Sequence, residues 1–285
     1  MAERPFSIRG STKVVAVFGN PIAHSRSPEL HNYWISEAGL NAVYVALRLS
    51  GSDAARALST LPSLGFTGAN VTLPHKEAAL AAASVASPAA QKIGAANTLA
   101  VDDNGNLAAS NTDAAGFVRA LIAACPDWTP NRGPVCVLGA GGAARAITVG
   151  LLEAGVTDIR IANRTHEKAD AVAKLAPAHI GRAFEWSDVE DASRGAALMV
   201  NATSLGLAGK NPLELNLQAV ERNAVIVDTV YTPLETAFLA SARAQGFRCV
   251  DGLGMLIHQA ALSFSTWFGV SPDTEAGRAF LMRTQ

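Results

Sequence analysis

The chain has 285 residues, 49% of them hydrophobic and 16% charged, which excludes disorder as its main state. Lys and Arg number 23 against 24 Asp and Glu, and the net charge of −1 removes the electrostatic case for a nucleic-acid or anionic-membrane partner. The length fits about two domains.

Short apolar runs alternate with helical patterns almost from end to end, the signature of an α/β protein with mainly parallel sheets. Lys13–Gly19 reads as the first strand. Ser27–Ala38 reads as a helix, with Ser27 as N-cap, Pro28 at the first helical position and Gly39 past the end. Strands are expected at Ala42–Leu49 and Gly68–Leu73, and helices at Asp53–Leu61 and Lys76–Ala83. Asn97–Val101 and Leu107–Asn111 flank Asn104-Gly105, a strong hairpin signal. Asp113–Cys125 reads as a long apolar helix. The polar stretch PDWTPNRGP after it reads as a linker, the expected domain crossing.

A new series follows. Val135–Leu138 is a buried strand, and Ala143–Ala154 a helix closed by Gly155. Asp158–Ala162 is a strand, Thr165–Leu175 a helix, and Ser187–Glu190 fits a capping box. Leu198–Asn201, Val225–Asp228 and Arg248–Val250 supply further strands, with Leu234–Gln245 a helix before the last. Met255–Phe268 is apolar at helical spacing. Cys125, Cys136 and Cys249 lie far apart, which signals neither a disulfide framework nor a zinc site. MAERPFSIRG at the N-terminus has no apolar core, and no apolar run approaches the roughly 20 residues of a membrane span. A cytoplasmic protein with a small-molecule partner is expected.

Gly139-Ala140-Gly141-Gly142-Ala143-Ala144 follows a strand and opens a helix, the context of a dinucleotide-binding turn. The first glycine permits the turn, and the second lets backbone approach a pyrophosphate. The helix N-terminus then favours the negative charge. The next strand ends in Asn163-Arg164-Thr165, 22 residues beyond Gly141, with no carboxylate at its tip. An acid there would repel a 2′-phosphate whereas a guanidinium pairs with it, so NADP is expected over NAD. The alternative is a solvated Arg164 with Thr165 capping the next helix.

In the first half, Ser25 and Ser27 follow the first strand, and Thr72 and Lys76 follow that of Gly68–Leu73. Ligands of open α/β sheets bind at the carboxyl ends of strands. Each residue also has a plainer role: Ser27 as a cap, Lys76 as a solvated cation, Asp113 as the cap of the long helix. Asn97 and the Asn111-Thr112-Asp113 run are polar residues at strand edges. The six histidines show no metal-ligand spacing, and His24, His31, His75 and His258 are read as structural.

Together, GNPIAHSRSPELHN, GANVTLPHKE, GAANTL, SNTDAAGF, VLGAGGAARAI, ANRT, NATSLG, DTVYTPLETAFL and DGLGMLIHQAALSF resemble the shikimate dehydrogenase family, in that family's order across nearly the whole chain. The resemblance implies reversible hydride transfer between NADPH and 3-dehydroshikimate, giving shikimate, in the aromatic (chorismate) pathway. It implies that Ser25 and Ser27 hold the substrate carboxylate, and that Thr72, Asn97, Asp113 and Gln259 bind ring hydroxyls with Tyr231 nearby. Lys76 is then the catalytic lysine and Asp113 its partner. Gly139, Ala140, Gly141, Gly142 and Ala143 take the pyrophosphate, and Asn163, Arg164 and Thr165 the ribose phosphate. Gly252 and the Thr229–Val230 backbone lie along the nicotinamide. Some members place an acidic contact twelve residues after the lysine, where this chain has Pro88.

The family likeness also implies two domains. Residues 1–112 with 253–285 form an N-terminal α/β substrate domain, and residues 113–252 a Rossmann-type NADP domain, in a monomer or homodimer. A quinate- or aminoshikimate-oxidising relative, often NAD-linked, is the nearest alternative, and Arg164 without an acid at the strand tip counts against it. A methylenetetrahydrofolate dehydrogenase gives HSRSP no role, and a sensing protein without turnover gives none to Lys76 and Asp113.

Overall fold

Ten short elements account for the first part of the computed structural model, which describes residues 8–284; Met1–Ser7, within the N-terminal stretch read above, and Gln285 lie outside the described residues. In chain order they are β1 (Lys13–Gly19), α1 (Ser27–Glu37), β2 (Ala42–Arg48), α2 (Ala54–Ser59) and β3 (Phe66–Val71), then α3 (Lys76–Ala82), β4 (Val85–Ala86), α4 (Pro88–Ile93), β5 (Thr98–Val101) and β6 (Leu107–Ser110). The sheet order is β2-β1-β3-β5-β6-β4. Strands β2, β1 and β3 are parallel, as expected, whereas β5 runs antiparallel to both β3 and β6, so this sheet is mixed. The hairpin turns β6 back against β5: Asp102 Oδ1 accepts from the amides of Asn104 and Asn106, and Gly105 takes φ +79° in the turn.

The second series is α5 (Asp113–Ala124), β7 (Val135–Leu138), α6 (Gly142–Glu153), β8 (Ile159–Asn163), α7 (His166–Ala173) and β9 (Gly181–Glu185). After them come α8 (Val189–Ser193), β10 (Leu198–Asn201), β11 (Val225–Asp228), α9 (Ala237–Ala244), β12 (Arg248–Val250) and α10 (Gly252–Phe268). Its six strands are all parallel in the order β12-β11-β10-β7-β8-β9. β7, β10 and β11 are buried at every position, as strands covered by helices on both faces must be. The order departs in both directions from β7, which makes the β7/β10 boundary the switch point of a doubly wound dinucleotide-binding sheet. A last helix, α11 (Thr274–Arg283), is capped by Asp273, whose carboxylate accepts from the Ala276 amide.

The chain forms two compact units, residues 1–112 with 260–285 and residues 113–259, and the second boundary falls inside α10. The stretch Pro126–Pro134 is therefore not the crossing. It lies inside the second unit, where Trp128 is buried in the core and its amide bonds the Cys125 carbonyl.

Two expected caps are absent. Arg26, not Ser27, holds the N-cap position of α1, and the Ser27 amide donates instead to Ser25 Oγ at 3.3 Å. The Ser187–Glu190 box does not form, since α8 starts at Val189 and the Ser187 hydroxyl bonds Asp188.

Candidate active site

Strand direction gathers the polar residues of the first unit. The ends of β1 and β3 lie side by side, Phe18 opposite Val71. Because β5 runs the other way, its start reaches the same edge, with Asn70 opposite Thr98 and Thr98 opposite Ser110. The segments carrying Ser25, Ser27, Thr72, Lys76 and Asn97 thus all leave one edge of one sheet. Lys76 is the first residue of α3, half-buried, and its carbonyl accepts from the Ala96 amide at 2.9 Å, which fixes it beside Asn97 in the fold. The Thr72 amide donates to the Phe18 carbonyl at 2.8 Å.

Beneath this edge lies a buried polar network. Asn97 Oδ1 accepts from the Thr112 amide (2.8 Å) and the Thr98 hydroxyl (3.0 Å), and its Nδ2 donates to Thr112 Oγ1 (3.0 Å). Asn70 Nδ2 donates to the Asn97 carbonyl at 3.1 Å and to Ser263 Oγ at 2.9 Å, while its Oδ1 accepts from the Tyr44 hydroxyl at 2.8 Å. Burial pushes the Tyr44 phenol well up, against an opposing influence of the Ser27 hydroxyl. The two serines therefore differ: Ser25 is half-buried with Oγ bonded to the Ser27 amide, and Ser27 is buried. Asn70, Thr98 and Ser263 were not singled out from the sequence, and Thr112 only as part of a polar run, because their pairing needs residues up to 193 positions apart.

The histidines read as structural stand in three environments. His75 is buried with Nε2 bonded to the Leu49 carbonyl, and His24 is exposed. His31 lies fully buried, whereas burial and Arg119 hold the half-buried His258 below its ordinary pKa. Pro88, where an acidic contact was sought, is the first residue of α4.

In the second unit the Gly-rich turn joins β7 to α6. Gly139 has φ +103°, and a Cβ there would come within 3.1 Å of the Ala202 carbonyl, so the protein itself requires that glycine. Gly141 differs: a Cβ would meet nothing within 4 Å, and as N-cap of α6 it supplies no side-chain bond. The open first turn of α6, with amides uncapped by a side chain, fits a pyrophosphate. The tip of β8 carries Asn163, whose Nδ2 donates to the Thr165 carbonyl, and an exposed Arg164 with no side-chain bond to the described residues. Thr165 holds the N-cap position of α7 without a capping bond, so its hydroxyl is not spent on the helix. Lys168, exposed in the first turn of α7, adds a cation that the sequence reading passed over.

Asp113 is buried as the first residue of α5, inside the helix rather than flanking it. Gln259 lies on α10, its Nε2 donating to the Leu256 carbonyl at 2.7 Å. Gly116 on α5 packs against it so closely that a Cβ would lie 2.7 Å from its backbone nitrogen. Thr229, Val230 and Tyr231 follow β11, and a Cβ on Gly252 would lie 2.3 Å from the Thr229 carbonyl. Among the described residues, no helix is long and apolar enough to cross a membrane.

Three family models match the chain: the shikimate dehydrogenase substrate binding domain over residues 17–99, shikimate / quinate 5-dehydrogenase over 129–228, and the shikimate 5'-dehydrogenase C-terminal domain over 252–281. A shikimate dehydrogenase (NADP(+)) of Paracoccus denitrificans is 46% identical over 262 residues, covering 92% of this chain and 93% of that protein. Among solved structures, the shikimate 5-dehydrogenase of Thermus thermophilus, in complex with NADP(H) and shikimate, is 38% identical with TM-score 0.86, covering 96% of this chain and 100% of that one. Quinate dehydrogenase of Corynebacterium glutamicum, in complex with NAD, is 29% identical with TM-score 0.87, covering 95% and 99%.

Proposed function

The chain belongs to the shikimate dehydrogenase family, and from that membership we propose that it catalyses the reversible NADPH-dependent reduction of 3-dehydroshikimate to shikimate. The observation that carries this is the edge of the first unit's sheet, where two serines, Thr72, Lys76 and Asn97 leave neighbouring strand ends. Hydroxyls and a cation suit a small carboxylate bearing ring hydroxyls and a ketone.

Ser25 and Ser27 take the carboxylate, and Thr72, Asn97, Asp113 and Gln259 the ring hydroxyls, with Tyr231 beside them. Bound NADPH supplies the hydride for the ketone carbon. Lys76 gives the proton to the carbonyl oxygen, and its charge stabilises the oxyanion as it forms. Lys76 and Asp113 share the proton-transfer and orienting roles. Residues 139–143 hold the pyrophosphate at the N-terminus of α6. Asn163, Arg164 and Thr165 hold the 2′-phosphate, with Lys168 as a second cation, and Gly252 and the Thr229–Val230 backbone lie along the nicotinamide. The three described cysteines are unbridged, which fits a cytoplasmic enzyme, and the enzyme acts as a monomer or homodimer.

The test is an activity matrix of shikimate and quinate against NADP and NAD. Shikimate with NADP is expected to give the highest kcat/KM, because the tip of β8 offers a guanidinium and no acid to the 2′-phosphate. Equal turnover of quinate with NAD would move the enzyme to the dual-specificity relatives and remove the role given to Arg164.

A further inference from the structure

Asp228, the last residue of β11, is fully buried and has no part in the roles above. Its Oδ1 accepts from the Val230 amide and from Asn201 Nδ2, both at 2.9 Å, and its Oδ2 from the Thr236 hydroxyl at 2.7 Å. Thr236 Oγ1 also accepts from the Leu239 amide as the cap of α9, which leaves the hydroxyl proton for Asp228. Three donors converge on the carboxylate, two of them N–H groups on Oδ1, and each such bond favours its ionised form. Burial outweighs the donors and raises the carboxyl above its ordinary value, and no cation contributes. Asn201, itself the last residue of β10, accepts from the Thr203 amide and hydroxyl through Oδ1. Asp228 thus joins the tips of two strands to the start of α9. Beside it opens a hollow lined by Thr229, Asp251, Gly252, Phe117 and Met255, among others, with no Lys, Arg or His in its wall.

The dinucleotide fold has two mononucleotide halves on either side of the switch point. The Gly-rich turn and the tip of β8 belong to the adenosine half, so the tips of β10 and β11 belong to the nicotinamide half. The nicotinamide ring carries one positive charge when oxidised and none when reduced. We infer that Asp228 is a fixed, buried negative charge that favours the oxidised dinucleotide over the reduced one, and so sets the ratio of their affinities. This rests on the NADP assignment above. An uncompensated carboxylate acts over several ångströms in a low-dielectric interior, and it acts on one redox form only. A purely structural role would weaken both forms alike, since they share every other group.

Asp228→Asn removes the charge while its amide oxygen still accepts from Val230 and Asn201. The dissociation constants of NADP+ and NADPH are measured separately on the full chain by calorimetry at neutral pH, with a thermal melt to confirm folding. The ratio of the NADP+ to the NADPH constant is expected to rise about fivefold or more, with the NADPH constant changed less than about twofold. Thr236→Val, which removes a neutral donor but keeps the charge, should leave the ratio at its wild-type value. An unchanged ratio in Asp228→Asn, or a ratio that moves equally in Thr236→Val, overturns the inference while the NADP assignment stands. A wild-type protein that binds neither form overturns both.

Discussion

At the scale of single residues, Lys76 carries the sharpest expectation. Its backbone is fixed at the start of α3 by the Ala96 amide, so truncating the side chain leaves its surroundings in place. Lys76→Ala should lower kcat by about 10²–10⁴-fold, the usual range for a positioned acid or base, with a much smaller change in the substrate KM. Steady-state kinetics that show a raised KM and a near-normal kcat would reduce Lys76 to a binding residue. The glycines of the turn, and the placing of Lys76, Asn97 and the serines at strand ends, were legible in local pattern, whereas the roles given to Lys76 and the serines came from the family likeness. The division of labour between Ser25 and Ser27 was not legible. A serine before a proline reads as a cap, yet here the helix is entered one residue earlier, and Ser25 supplies the oxygen while Ser27 is buried. Asp228 was equally hidden: a strand-ending Asp has no local signature, and its partners lie 2 to 27 positions away.

Among the elements, α11 shows how a helix that buries few of its side chains is held. It is pinned near both ends to α1. Trp34 Nε1 donates to the Asp273 carbonyl at 2.9 Å before its first turn, and Arg26 donates to the Leu281 carbonyl at 2.9 Å and the Thr284 hydroxyl at 2.6 Å at its last. Tyr33 and Phe280 stack between them with centroids 4.4 Å apart. Arg26 also pairs with Glu29 at 2.9 Å, its own side chain 14% exposed, so its loss leaves the Leu281 carbonyl and the Glu29 carboxylate with only the longer bonds of the Thr284 hydroxyl. Arg26→Ala should cost about 1.5–3 kcal/mol in urea denaturation, the range for hydrogen bonds to charged groups. A cost below half a kilocalorie would mean that packing alone holds α11. The long strands and helices were readable from period and caps. By contrast, β9 is a mixed, partly charged edge strand that exists by pairing with β8, and the two-residue β4 depends on β6, so neither shows in a local pattern. The short α4 did carry its signals, with Ser87 capping, Pro88 at the first position and Gly94 left-handed at the end, but six residues are too few for a period to register.

At the scale of the whole molecule, the return of the chain's end to the first unit is invisible to local periodicity and was anticipated only through the family likeness. Its physical cause is long-range: Ser263 bonds Asn70, and Trp267 Nε1 donates to the Leu99 carbonyl at 2.8 Å. The same return closes an aromatic cage around His31, stacked on Tyr44 at 4.1 Å, with Trp267 and Phe264 at 5.5 and 6.0 Å. Neither ring nitrogen has a hydrogen-bond partner among the described residues, and burial lowers the pKa from 6.5 to about 3. The folded chain therefore excludes a proton that the unfolded chain takes up. Stability from this group is fully present above pH 6.5 and is lost as pH falls toward about 3, at up to about 1.4 kcal/mol per pH unit. Between pH 6.5 and 4.5 that amounts to about 2 kcal/mol, above the range where Asp127, held down to about 2 by Arg248, begins to contribute. His258, lowered by burial, adds to the slope in the same direction but is unaffected by a change at position 31. His31→Phe keeps the ring stack and removes the titration, so its denaturation midpoint should fall less on acidification than the wild-type midpoint, by an amount equivalent to about 2 kcal/mol. Parallel pH dependence in the two proteins would show that His31 takes up its proton inside the folded cage.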